Sequence, residues 1–359
     1  MTTIHNAAPS QVRYVGDRLR PVRIWLYVLA AMVFCMIIVG GMTRLTGSGL
    51  SITTWRPISG ILPPLSLEDW MAEFEGYKQI PQYEVYNHWM TLEDFKGIFW
   101  WEWGHRFLGR MLGFVFAIPF VVFLAQRRLT RDMVMPLTAL FLLGGFQGFL
   151  GWWMVSSGLS ELTWVSQYRL ATHLTAANLL FLALLWVARK MRPQPTEGPV
   201  TSGNLVSTWI LLALLIVQSA AGAFVAGIHA GMGFNTWPLM EGKFIPDGLG
   251  AYEPVWRSVF EHQLTVQFTH RMIAYFITIV TFVMLFLQAR RGGLDGVHRW
   301  LVLIAILVVA QVALGVATLL SMVHIDLAIA HQGMAFLLAG AIGIYLADMT
   351  KKHALGVRY

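Results

Sequence analysis

The chain has 359 residues, of which 56% are hydrophobic and only 13% charged. Soluble domains carry about 25% charged residues, so the composition excludes an ordinary soluble protein and indicates an integral membrane one. A single cysteine, Cys35, excludes an internal disulfide and any CxxC metal or redox motif. The net charge of +7 does not indicate nucleic acid, because it divides unevenly between the two sides of a membrane.

Residues 1–21 form a polar tail. The apolar run that follows, 22–42, is too long for a signal-peptide core and precedes no small-residue cleavage site, so it is a retained span. Further runs lie at 105–126, 133–154, 170–189, 204–226, 268–289, 299–320 and 329–349. Each approaches the ~20 residues that cross a bilayer as helix. The fold expected is an all-α integral membrane protein with eight transmembrane helices. Alternate loops and both tails hold 16 of the 26 basic residues and 5 of the 19 acidic ones. The positive-inside rule then places both termini in the cytoplasm. The short tail lacks the Ser/Arg-rich character of a transit peptide, which points to a bacterial inner membrane.

Two long loops fall on the outer side, 43–104 and 227–267. The first predicts two short helices. One opens at Ser66 with Asp69 at the capping-box position, the other at Thr91 with Asp94. Loops of this length in a compact protein usually carry function.

Four features recur in order in both halves. Gly40-Gly41 followed by Thr54-Trp55 and Pro57 pairs with Ala221-Gly222 followed by Thr236-Trp237-Pro238. Gly104-His105-Arg106 pairs with Thr269-His270-Arg271. Gln147 to Gly151 pairs with Gln311 to Gly315, and His173 pairs with His331. The architecture expected is two tandem four-helix bundles. Residues 22–192 form the first, with the outer loop 43–104, and residues 204–349 the second. They are joined by a linker at 193–203, and 350–359 form a tail.

His105, His173, His270 and His331 each open a helix running inward from the outer side. Each half therefore presents two imidazoles at one level. That is the requirement for bis-histidine haem ligation, and bundle cores are a usual place for cofactors. A lone interfacial histidine is more often inert. Four at matched positions favour ligation over a proton relay, or over zinc, which takes three or four close ligands. Gly104, Gly109 and Gly113 would let a flat macrocycle approach. Arg106, Arg110, Arg169 and Arg271 would pair with its propionates. Gln147 and Gln311 have interhelical hydrogen bonding as their default. His298 is expected to be solvated in the cytoplasm, and His229 to line a pocket at most.

The repeat breaks at one place. Glu102 stands three residues before His105, and Gln267 three before His270. The break suggests one haem held permanently and one acted upon. A carboxylate there accepts a proton or stabilises a developing cation, orients His105, or is an interfacial charge. The sequence leaves all three open.

Together these motifs resemble the haem A synthase family. They are Gly40-Gly41-Met42-Thr43-Arg44-Leu45-Thr46-Gly47-Ser48-Gly49-Leu50-Ser51, Glu102-Trp103-Gly104-His105-Arg106, Gln147-Gly148, His173, Asn235-Thr236-Trp237-Pro238, His270-Arg271 and His331. The resemblance implies an oxidoreductase that converts a methyl group of the substrate haem O to a formyl group through an alcohol and a geminal diol. It implies that His270 and His331 ligate a resident haem B, that His105 and His173 take the substrate haem, and that Glu102 is catalytic. Haem O synthase, a membrane electron acceptor and a second copy of the chain are the partners it suggests. One branch of the family carries a cysteine pair in an outer loop. This chain has none there and is similar to the proteobacterial and mitochondrial branch. The rival expectations are a di-haem b-type electron-transfer cytochrome, which would not need Glu102, and a haem carrier. The carrier is disfavoured by histidines at one surface only.

Overall fold

The computed structural model describes residues 18–56, 59–160, 162–192 and 200–350. Pro57, most of the 193–203 linker, and most of both tails lie outside these residues. The described chain forms ten α-helices and no β-strand. They are α1 (Arg20–Leu45), α2 (Leu67–Tyr77), α3 (Leu92–Ala125), α4 (Arg131–Ser156), α5 (Gln167–Lys190), α6 (Ser202–Gly227), α7 (Ser258–Glu261), α8 (Gln263–Gly292), α9 (Arg299–Leu320) and α10 (Ile325–Met349). All but α2 and α7 are long and apolar enough to cross a membrane. The all-α, eight-span fold class expected from sequence is the one observed, and the protein is a multi-pass membrane protein.

One boundary differs in kind. The helix expected to open at Thr91 does open there. Thr91 Oγ1 accepts from the Asp94 main chain while the Asp94 carboxylate accepts from Thr91 N at 2.9 Å. It is not a separate short helix, because nothing between Leu92 and His105 stops it. The result is one helix of 34 residues, about 51 Å long at 1.5 Å per residue, well beyond the ~30 Å hydrocarbon layer. Its projecting turns bring Phe95, Ile98 and Phe99 against Phe74 and Tyr77 of α2 and against Leu50. The outer loop thus owns a small apolar core, each large side chain of which stabilises it by about 1.5–3 kcal/mol.

Helices α1, α3, α4 and α5 pack as one group, α6, α8, α9 and α10 as another. The helices α1, α5, α6 and α10 meet along the seam between the groups. Lipid supplies no hydrophobic drive for helices to associate, so close approach of small residues does the work. At the seam Gly340 and Gly343 of α10 face Phe181, Leu182 and Leu185 of α5 so closely that an added Cβ would lie 2.9–3.2 Å from them. At the end bearing the basic loops, Arg189 of α5 grips Asp348 of α10 with two bonds of 2.6 and 2.5 Å.

Candidate functional site

Each of the four histidines lies against a glycine of the preceding long helix. A Cβ on Gly40 would stand 3.0 Å from His105, on Gly151 3.1 Å from His173, on Gly222 3.2 Å from His270, and on Gly315 2.8 Å from His331. Four residues before three of these glycines stands a glutamine: Gln147, Gln218 and Gln311. One helical turn separates the two, so both face the same neighbour. Gln147 Nε2 donates to the main-chain oxygen of His173 at 2.8 Å and lies 3.1 Å from its Nδ1. Gln218 Nε2 donates to the main-chain oxygen of His270 at 3.0 Å and lies 3.3 Å from its Nε2. Gln311 meets His331 through its main chain. Gln147 therefore does more than join helices, as its interhelical default suggested, while Gln311 Oε1 is buried without a partner among the described residues. Gln218 was missed by the sequence reading, although the spacing Gln-x-x-x-Gly, shared by three spans, would have found it.

The rings of His270 and His331 stand 6.5 Å apart, centre to centre, with their planes at 80°. Two imidazoles that share one metal at about 2 Å each put their ring centres roughly 6 Å apart, so this pair has the span of two axial ligands. Among the described residues the Nδ1 atoms of both rings are buried without a hydrogen-bond partner. No three His, Cys, Asp or Glu side chains converge as a metal cage among those residues. Two imidazoles alone do not enclose an ion; a macrocycle that supplies the remaining coordination positions fits them. His105 lies within electrostatic reach of His173, so the first half pairs the same two positions. Gly104 and Gly113 face open space, as a flat ligand requires, whereas Gly109 faces Met36 at 3.5 Å and serves helix packing.

Glu102 is 2% exposed. Its Oε2 accepts from Ser51 Oγ and from Ile52 N, both at 2.8 Å. Its Oε1 accepts from Arg106 Nη2 at 2.6 Å and Nε at 3.0 Å. Arg106 continues to the main-chain oxygens of Ile52 and Thr54. The second half repeats this with inverted polarity. Gln267 Nε2 donates to the main-chain oxygens of Ala230 and Gly233, both at 2.7 Å. Its Oε1 accepts from Arg271 at 2.8 Å, and Arg271 continues to Phe234 and Thr236. In both halves the residue three before the histidine and the arginine after it tie the outer loop to the helix. Arg110 and Arg169, the other arginines expected near propionates, donate to the main-chain oxygens of Arg56 and Trp153.

His229 follows α6 and joins the two halves. Its ring meets Trp164 edge-on at 4.8 Å and its Nε2 lies 3.2 Å from Arg44 of α1. Burial, and then the Arg44 cation, push its pKa down to about 4. His298 corrects an expectation. It is 2% exposed rather than solvated, with Nδ1 3.0 Å from the Tyr345 hydroxyl. The turn before α9 folds it inward onto α10, which the charged sequence around it did not indicate.

Residues 23–342 match the family model described as cytochrome oxidase assembly protein, COX15-CtaA. The chain is 50% identical over 335 residues to a protein named heme A synthase from Azorhizobium caulinodans, covering 93% of this chain and 95% of that one. It is 50% identical over 316 residues to the heme A synthase of Parvibaculum lavamentivorans, covering 88% and 90%. With the heme A synthase of Allorhizobium ampelinum it shares 49% over 345 residues, covering 95% and 94%. Two glycine-backed histidine pairs, one in each of two similarly latched groups of four helices, are thus features of a protein that belongs to the haem A synthase family.

Proposed function

We propose that the chain is a haem A synthase, oxidising a methyl group of haem O to a formyl group. The observation that carries this reading is the duplicated site, two histidine pairs backed by glycine in a chain whose relatives bear that name. His270 and His331 would hold a resident haem B, which when bound supplies one-electron redox chemistry. His105 and His173 take the substrate haem O. Residues 22–192 are then the substrate half and 204–349 the resident-haem half.

Methyl to formyl is a four-electron oxidation with one oxygen gained. A first two-electron step, taking its oxygen from water and releasing two protons, gives the alcohol; a second of the same kind gives the geminal diol, and loss of water leaves the aldehyde. The electrons leave to a membrane acceptor. Glu102 stands one helical turn from His105 in a water-poor place. It is the one buried carboxylate beside the first pair among the described residues, and it takes the proton or offsets the positive charge that the oxidation develops. To do so it gives up the Ser51 hydroxyl, the contact most easily turned away. Arg106 and Arg271 stand at the loop edge of their sites, where propionates of a bound haem would meet them.

We place the protein in a bacterial inner membrane, with termini in the cytoplasm and both sites toward the periplasm. Haem O synthase as supplier and a second copy of the chain are the partners this reading implies.

The test is a haem extract. The chain is expressed in a host that makes haem O but not haem A, and the extracted haems are separated and weighed. A haem carrying a formyl in place of a methyl supports the reading. Haem B alone, at two per chain with haem O untouched, supports instead a di-haem electron-transfer cytochrome, which the near-equal build of the two halves would also suit.

A further inference from the structure

The four glycine-backed histidines are not equivalent. Three spans carry Gln-x-x-x-Gly: Gln147 and Gly151, Gln218 and Gly222, Gln311 and Gly315. The first span carries Met36 and Gly40 at the same spacing. Met36 stands at the position in the repeat that a glutamine holds in the other three spans. Its Cε lies 3.5 Å from where a Cβ on Gly109 would stand. Gly109 is one helical turn past His105, the turn whose amides face the His105 main-chain oxygen. In the two hairpins where a glutamine side chain bonds the histidine, that main-chain oxygen is what it grips. A thioether is a poor hydrogen-bond partner, so among the described residues His105 has neither a side-chain amide beside its ring nor one on its carbonyl.

A second difference concerns the ring itself. His173, His270 and His331 each turn Cε1 toward their glycine as the nearest atom, at 3.1, 3.2 and 2.8 Å, with Nδ1 next. His105 turns Nε2 toward Gly40 at 3.0 Å, with Cδ2 next. Its Nε2 thus lies against α1 with no side-chain amide there to bond it among the described residues, whereas the Nε2 of His270 lies 3.3 Å from the Gln218 amide. An unclamped ring can rotate about its side-chain bonds. A ring held by an amide beside it rotates only by breaking that contact.

We propose that Met36 makes His105 the releasable ligand of the substrate site, a ring that swings onto a haem on arrival and off it on departure while His173 stays fixed by Gln147. This rests on the reading that the first half takes the substrate haem. A permanent haem gains from ligands that are held: Gln218 holds His270, and the main chain of Gln311 meets His331. A haem that enters as substrate and leaves as product requires at least one that lets go. Met36 is a positioning residue in this account, since it acts through His105.

The experiment measures haem departure, not turnover. Full-length protein is purified from cells making haem O, and its first-half haem is drawn off by excess apomyoglobin in a stopped-flow spectrometer. Met36→Gln is expected to slow departure about tenfold, the ratio one ordinary hydrogen bond makes. It should also raise haem retained per chain on purification, while the spectrum of the haem on His270 and His331 stays unchanged. Gln147→Met, which frees the fixed ligand, is expected to speed departure, and it provides the test should Met36→Gln not accumulate. Departure unchanged in Met36→Gln, or unchanged in Gln147→Met, overturns the proposal. Failure of the functional reading is distinguishable, because it would appear in the unaltered protein as haem O never converted, whatever the departure rates.

Discussion

In the first half, the residue three before the histidine is a carboxylate that receives hydrogen bonds from Ser51 and Ile52. In the second half it is an amide that gives them to Ala230 and Gly233. Both pair with the arginine one turn on, and both arginines end on loop carbonyls. A difference in sequence that invites a purely catalytic explanation therefore has a structural component as well. The first loop presents donors and calls for an acceptor; the second presents acceptors and calls for a donor. Only the first choice leaves an ionisable group beside a histidine, and that is where proton chemistry can be housed without a change of fold.

The largest effect expected from breaking the comparison is at the ligands. His270→Ala or His331→Ala should abolish the resident haem, read as loss of the low-spin haem B spectrum in purified protein. His105→Ala should leave that spectrum in place. A normal bis-histidine spectrum in both His270→Ala and His331→Ala would show the permanent haem to belong to the other half.

Exchanging the latches comes next. In Glu102→Gln the new amide nitrogen faces either Arg106 or Ile52 N, and both are donors. In Gln267→Glu a carboxylate faces two carbonyl oxygens. Each should cost about 3 kcal/mol, read as a lower unfolding temperature in detergent. Glu102→Gln should also abolish formyl product while the resident spectrum stays intact, and Gln267→Glu should disturb that spectrum. Normal turnover in Glu102→Gln would remove Glu102 from the chemistry.

How much of this was legible beforehand divides along the same line. The eight spans, the two capped helix starts and the two histidine pairs follow from local pattern, because apolar length, cap residues and repeat order are written along the chain. The reach of α3 beyond the membrane was not, since the aromatic residues that hold it out pack against α2 and Leu50, distant in sequence. The polarity of the latches was hidden for a related reason. Whether a loop offers N–H groups or carbonyls is a property of its folded path. His298 was misplaced because a polar neighbourhood in sequence became a buried pairing with Tyr345.

The glycines sharpen the comparison at a smaller scale. A Cβ at Gly315 would stand 2.8 Å from His331, closer than real Cβ contacts come, and one at Gly222 would stand 3.2 Å from His270. Overpacking of this kind costs about 1–3 kcal/mol. Gly315→Ala should therefore shift the resident haem spectrum and lower haem content more than Gly222→Ala does. Equal effects would mean that both rings yield equally and that the cradle does not set their position.

The smallest effect concerns the seam where the halves touch. His229 meets Trp164 edge-on and lies beside Arg44, both from the first half. Its pKa of about 4 when folded is below the ~6.5 of an unperturbed histidine. Between these values the unfolded state binds the proton and the folded state does not, so the contribution to stability is full above about pH 6.5 and falls as pH drops toward 4. Because the ring is only half-buried, the effect amounts to about 1 kcal/mol after allowance for solvent screening. Acid should loosen the seam first, read as hydrogen exchange rising in the loop after α6 before it rises elsewhere. His229→Asn removes the titration while suiting the left-handed backbone at that position, where φ is +56°. That variant should be a little less stable at neutral pH and flat in its response to acid. An acid response that survives it would assign the titration to another group and leave the contact of His229 with Trp164 and Arg44 as packing alone.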